Sequence, residues 1–154
     1  MTTAKDSNEK FMADAIALAK EGAAEGEVPV GCVVVCDGVV VARGKNAVEK
    51  TGDPTAHAEM IAIQQAAAAY GKNLSSCDLY VTVEPCPMCA GAIVNAKIVR
   101  LYIGVQEPKT GCCGSLYDLV EDARFNSNPV VVRGVKEEEC KKTMADFFAD
   151  RRKV

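Results

Sequence analysis

A chain of 154 residues, 49% hydrophobic and 25% charged, can bury a full core as a single domain, 1–154. Its net charge of −3 lacks the basic footprint of a general nucleic-acid binder. No run approaches the ~20 apolar residues that span a bilayer, and Met1 to Lys10 is polar, so the sequence predicts a cytoplasmic protein with no membrane partner.

Asp6 to Ala24 reads as the first helix, with Phe11, Ala15, Leu18 and Ala19 at helical spacing and Asp6 and Glu9 as a capping pair. Val30 to Cys36 is an almost wholly apolar strand, buried on both faces. Asp37-Gly38 is a hairpin turn, and Val39 to Gly44 returns as a second strand. Lys50 to Pro54 is a polar loop. Asp53 as N-cap and Pro54 in the first turn predict a helix running to about Tyr70. Leu79 to Glu84 is a third strand, broken by Pro85. Pro87 starts a short helix, and Ile98 to Gly104 is a fourth strand. A tight loop at Gly111 to Gly114 leads into a short helix from Ser115. Val130 to Val135 is a fifth strand, and Glu137 to Arg152 is a last helix with acidic residues first and basic ones last. This order is an α/β pattern: one sheet with helices on both faces, strands three and four parallel.

Eight cysteines raise the question of a disulfide scaffold, but the composition does not need one. Cys32, Cys36, Cys77 and Cys140 read as small buried hydrophobes. Cys86 and Cys89 differ. They form a C-x-x-C pincer, and the chain's single histidine, His57, lies upstream in His57-Ala58-Glu59. One imidazole and two thiolates make a three-ligand site with a fourth position free for water, the pattern of a catalytic zinc. Glu59 is an acid/base group placed to serve that water. A bare C-x-x-C also serves redox proteins and structural zinc knuckles, but a thiol redox protein has no use for His57, and a structural site none for Glu59. Both ligand segments fall at helix starts, where the macrodipole favours thiolate.

The combination H-x-E then P-C-x-x-C is the zinc-deaminase pattern. The chain resembles the bacterial tRNA adenosine deaminases of the cytidine-deaminase superfamily. Glu27 to Gly31, Asp53 to Glu59 and Leu79 to Ile93 carry the resemblance, with Lys109-Thr110-Gly111, Gly114-Ser115-Leu116, Phe147-Phe148 and Arg151-Arg152. It implies a three-layer cytidine-deaminase-like fold with a five-stranded mixed sheet and helices on both faces. It implies Zn2+ held by His57, Cys86 and Cys89, and a homodimer. The implied reaction turns the wobble adenosine of a tRNA anticodon stem-loop into inosine: zinc-bound hydroxide attacks C6, with Glu59 as proton shuttle.

By the same resemblance Asn46 and the N–H of Ala58 hold the flipped base, and Val28 and Asn126 contact it in the pocket. Lys109, Phe148 and Arg152 contact the flanking RNA. Read alone, Asn46 is equally a strand-end turn former, and Phe148 at helical spacing a core residue. Glu107 stands where the family usually carries Asp, and Cys112-Cys113 replace smaller residues. Two other readings remain: a deaminase of free guanine or cytosine, or of a nucleoside, on the same fold, and a non-catalytic zinc-stabilised RNA-binding subunit. The basic C-terminal helix separates the first of these from a tRNA enzyme.

Overall fold

The first strand, β1 (Gly31–Cys36), is buried along its whole length and divides its side chains between two cores. Cys32, Val34 and Cys36 face one side, Val33 and Val35 the other, as the two-residue period of a strand requires. The computed structural model describes residues 3–152, and of Arg152 the backbone alone. It contains α1 (Ala4–Ala24), β1, β2 (Val39–Lys45), α2 (Val48–Thr51), α3 (Ala58–Tyr70), β3 (Cys77–Val83), α4 (Pro87–Ala96), β4 (Arg100–Val105), β5 (Val130–Arg133) and α5 (Glu137–Arg152).

The sheet order is β2-β1-β3-β4-β5. β1 is antiparallel to β2 and β3, while β3, β4 and β5 run parallel. The predicted five-stranded mixed sheet with helices on both faces is therefore present. One core packs α3 and α4 on the sheet through Ala62, Ala66, Ala90 and Ile93. The other packs α1 through Met12, Ala15 and Ile16, with Cys140 of α5 beside them. Among the described residues no helix is long and apolar enough to cross a membrane.

Several expectations shift. Helix α1 begins earlier than Asp6, because Thr3 is its N-cap and pairs reciprocally with Asp6; Glu9 plays no part. Helix α3 begins at Ala58, not after Asp53. Asp53 Oδ1 accepts the Thr55 N–H at 2.8 Å and the Thr55 hydroxyl at 2.7 Å, so it closes a local turn instead of capping a helix. The polar stretch before it hides the short α2, closed by Gly52 at φ 71°. No helix follows Ser115; that segment is a set of turns around an isolated Cys113–Asp118 bridge.

Cys36 and Cys77 are not free hydrophobes but a disulfide. They face each other in the β1–β3 register with Cα atoms 4.5 Å apart, the reach of a cross-strand bridge. Cys32 and Cys140 are free and buried as expected.

Candidate active site

The ends of β3 and β2 aim two helix starts at one point. β3 stops at Val83, and Pro87 begins α4 with Cys86 as its N-cap. Helix α3 starts from His57, whose backbone is extended and whose side chain makes no capping bond, leaving the imidazole free for other work. Gly44 of β2 lets α3 sit flush on the strand: a Cβ there would run into the Ala58 carbonyl.

The result brings His57, Cys86 and Cys89 together, with ligand atoms all within 4.8 Å of one another. His57 Nδ1 lies 3.5 Å from the Cys86 sulfur and 3.5 Å from the Cys89 sulfur. A tetrahedral zinc with Zn–S about 2.3 Å and Zn–N about 2.0–2.1 Å sets sulfur and nitrogen about 3.5–3.6 Å apart. The donor set and its spacing therefore fit zinc without rearrangement. Cys86 is the readier thiolate. The Cys89 thiol hydrogen-bonded to it, the Cys89 and Met88 N–H groups and His57 outweigh burial and hold it down to about 5. The hydrogen bond with Cys86, and then burial, push the Cys89 thiol up, so metal binding must displace its proton.

Glu59, in the first turn of α3, is 4% exposed and lines the same cavity as His57 and Cys86. Burial pushes its carboxyl up to about 7, against the pull of its own backbone N–H and of His57. A carboxyl raised to about 7 can exchange protons near neutral pH.

The cavity encloses about 280 Å³. Val28 and Asn46 form part of its wall. Asn46 Oδ1 accepts the Ala58 N–H at 2.9 Å, and its Nδ2 donates to the Val28 carbonyl at 3.1 Å. The Ala58 N–H, expected to face the base, is thus committed to Asn46. The Asn46 amide keeps one hydrogen and one lone pair for a ligand.

Two buried carboxylates hold the cavity walls, and the motif reading missed both. Glu27 accepts the N–H groups of Glu49 at 3.0 Å and Lys50 at 2.8 Å, capping α2. Glu84 accepts the N–H groups of Glu107, Cys113 and Ser115, each at 3.0 Å, and the Ser115 hydroxyl. Burial works to raise the Glu84 carboxyl, but these donors hold it below its ordinary value. A charged residue closing the apolar run Leu79 to Val83 was the available signal for Glu84. Glu27 carried none. Met144 of α5 also lines the cavity, so the last helix contributes to its wall.

Lys109, Asn126 and Phe148 lie outside the cavity lining. Lys109 is exposed on the Glu107–Ser115 segment, its N–H donating to Glu107 Oε1 at 3.0 Å. Asn126 is exposed in a bend; Asn128 instead ties that loop, donating to the Val120 and Asp122 carbonyls. Phe148 is 39% exposed, while its neighbour Phe147 is buried. The Arg152 side chain lies outside the described residues. Arg151 is not a free cation. It donates to the Gly26 carbonyl at 2.6 Å and stacks 4.5 Å over the Phe147 ring.

A model of the cytidine and deoxycytidylate deaminase zinc-binding region matches residues 5–105. The chain is 44% identical over 147 residues to a tRNA-specific adenosine deaminase of Bacillus subtilis (strain 168), covering 95% of this chain and 91% of that one. It superposes with a TM-score of 0.83 on a structure from a study of A-to-I editing by tRNA:A34 deaminases at the wobble position of transfer RNA. That match is 41% identical and covers 87% of this chain and 98% of the other. A guanine deaminase of Bacillus subtilis matches at TM-score 0.61 and 42% identity, over 64% of each chain. The zinc-ligand geometry, the mixed sheet and these likenesses agree: the chain belongs to the zinc-binding cytidine and deoxycytidylate deaminase family and, within it, to the tRNA-specific adenosine deaminases.

Proposed function

We propose that this protein hydrolytically deaminates the wobble adenosine of a tRNA anticodon stem-loop to inosine. The observation that carries the reading is Glu59, buried in the cavity wall beside His57, Cys86 and Cys89. Zinc on these three side chains supplies Lewis-acid activation of water, lowering its pKa to about 7. The rest of the work falls to the chain. Glu59 takes the proton of the attacking water and delivers it to N1 of adenine. It then takes the proton of the new C6 hydroxyl and passes it to the exocyclic amine; the C6–N bond breaks, ammonia leaves, and the oxygen stays as the C6 carbonyl. Asn46 offers its spare N–H and lone pair to the flipped base, and Ala58 fixes that amide in place through its N–H. Val28 packs against the base.

The target base must leave its stack to reach the cavity, so contacts to the neighbouring nucleotides hold the loop open. Exposed Phe148 is a stacking surface for one of them, and Lys109, Asn126 and Arg152 complete the RNA contacts. A homodimer belongs to the same reading. Its support is the apolar surface left exposed at Leu116, Tyr117 and Phe125.

The test is a substrate panel: an anticodon stem-loop with adenosine at the wobble position, free adenosine, free guanine and free cytosine. The reading expects turnover on the stem-loop alone. Turnover on a free base with an inert stem-loop would move the protein to the small-molecule deaminases.

A further inference from the structure

We infer that Glu84 is a positioning residue, a carboxylate latch that holds the Glu107–Ser115 segment against the end of β3 and so builds one wall of the substrate cavity. The inference rests on the tRNA reading for its kinetic readout, but not for its structural one.

Between Val105 and Val130 the described chain has no helix or named strand, so its backbone N–H groups need partners from elsewhere. Glu84 supplies them at one point. Its Oε1 accepts the Glu107 N–H and the Ser115 hydroxyl; its Oε2 accepts the Cys113 and Ser115 N–H groups. One carboxylate thereby fastens both ends of the segment. The carboxylate is itself fixed, since the Glu84 N–H donates to the Val105 carbonyl at 2.9 Å and ties it to β4. A second bond runs alongside, from the Cys112 N–H to the Pro85 carbonyl at 2.9 Å.

Gly111 completes the fit. A Cβ at that position would collide with the Glu84 carboxyl carbon and the Glu107 carbonyl, so the segment closes over the latch only with glycine there. The held segment places Glu107 and Thr110 on the cavity wall, with Lys109 exposed between them in sequence. Glu84 lines the cavity too, but both its carboxylate oxygens are engaged by donors of this segment. His57, Cys86, Cys89 and Glu59 stand on α3 and α4, whose own hydrogen bonds do not pass through Glu84. Releasing the segment should therefore weaken substrate binding while leaving the chemical groups in place, which is a rise in KM at nearly constant kcat.

Glu84→Gln tests this with no change of shape. The new amide turns a donor toward N–H groups that need an acceptor, so part of the latch opens. The expected result is full zinc content, KM for the stem-loop raised about tenfold, and kcat within about threefold of the parent. Hydrogen exchange should quicken at the Cys113 and Ser115 amides and stay unchanged in β1 and β3. Ser115→Ala removes only the hydroxyl donor and should raise KM about twofold to threefold, in the same direction. A fall in kcat at fixed KM, unchanged exchange at 107–115 in both variants, or exchange quickened equally across the sheet would each overturn the latch. If the parent itself converts no stem-loop, the tRNA reading fails, and the exchange measurement still decides the role of Glu84.

Discussion

Asn46, just past the end of β2, accepts the backbone N–H of Ala58, the first residue of α3, at 2.9 Å. That bond fixes the start of the helix that carries His57 and Glu59. Ala58 is fully buried, so its N–H has no water to turn to. Asn46→Ala should cost about 1–3 kcal/mol of stability by orphaning it, besides lowering activity. Asn46→Asp keeps the acceptor and should recover most of the stability without the activity, because the Nδ2 donor is gone. Urea unfolding of the two variants checks this. Equal stability of Asn46→Ala and the parent would show that α3 is positioned by other contacts.

His57, Cys86 and Cys89 should hold one zinc per chain, and the Cys86→Ala/Cys89→Ala double variant should hold none. Metal analysis of the purified proteins reads both. Zinc retained undiminished in the double variant would place the ion elsewhere.

Legibility in the sequence followed how local the determining physics is. The β1–β2 hairpin was readable because Asp37 and Gly38 adopt the positive φ values, 53° and 76°, that the dipeptide favours. The start of α4 was readable from Pro87, and the zinc ligands from residue chemistry and spacing. The start of α3 was misread because Asp53 can close a turn or cap a helix equally well, and the choice lies in tertiary contacts: Asn46 and Gly44 favour Ala58. The Cys36–Cys77 bridge depends on strand register, which cysteine positions alone do not reveal. The Glu84 latch joins residues far apart in the chain, so no local pattern announces it.

The Cys36–Cys77 disulfide spans 41 residues of sequence, and closing such a loop stabilises by about 4 kcal/mol in the chain-entropy account. The Cys36→Ala/Cys77→Ala variant should melt about 10 °C lower than the parent with zinc content unchanged. The parent, denatured without reductant, should show the six free thiols at Cys32, Cys86, Cys89, Cys112, Cys113 and Cys140. Eight reactive thiols with equal melting would contradict the bridge.

The end of α5 divides its labour between packing and surface. Arg151→Ala should lower the melting temperature, because it removes the bond to the Gly26 carbonyl and the cation over Phe147. Phe148→Ala should leave melting nearly unchanged and weaken stem-loop binding by about 1–3 kcal/mol. The reverse assignment, with Phe148 governing stability and Arg151 binding, would invert this account of the helix.

The most direct measurement compares the zinc-loaded parent with zinc-loaded Glu59→Gln on the same anticodon stem-loop, reading inosine formed per unit time. The amide keeps the shape of Glu59 but cannot carry a proton between water, N1 and the leaving amine. The account predicts equal zinc content and a rate lower by about 10²–10⁴-fold. Inosine formed at the parental rate by the zinc-loaded Gln variant would contradict it, because the proton would then travel by a route that does not pass through Glu59.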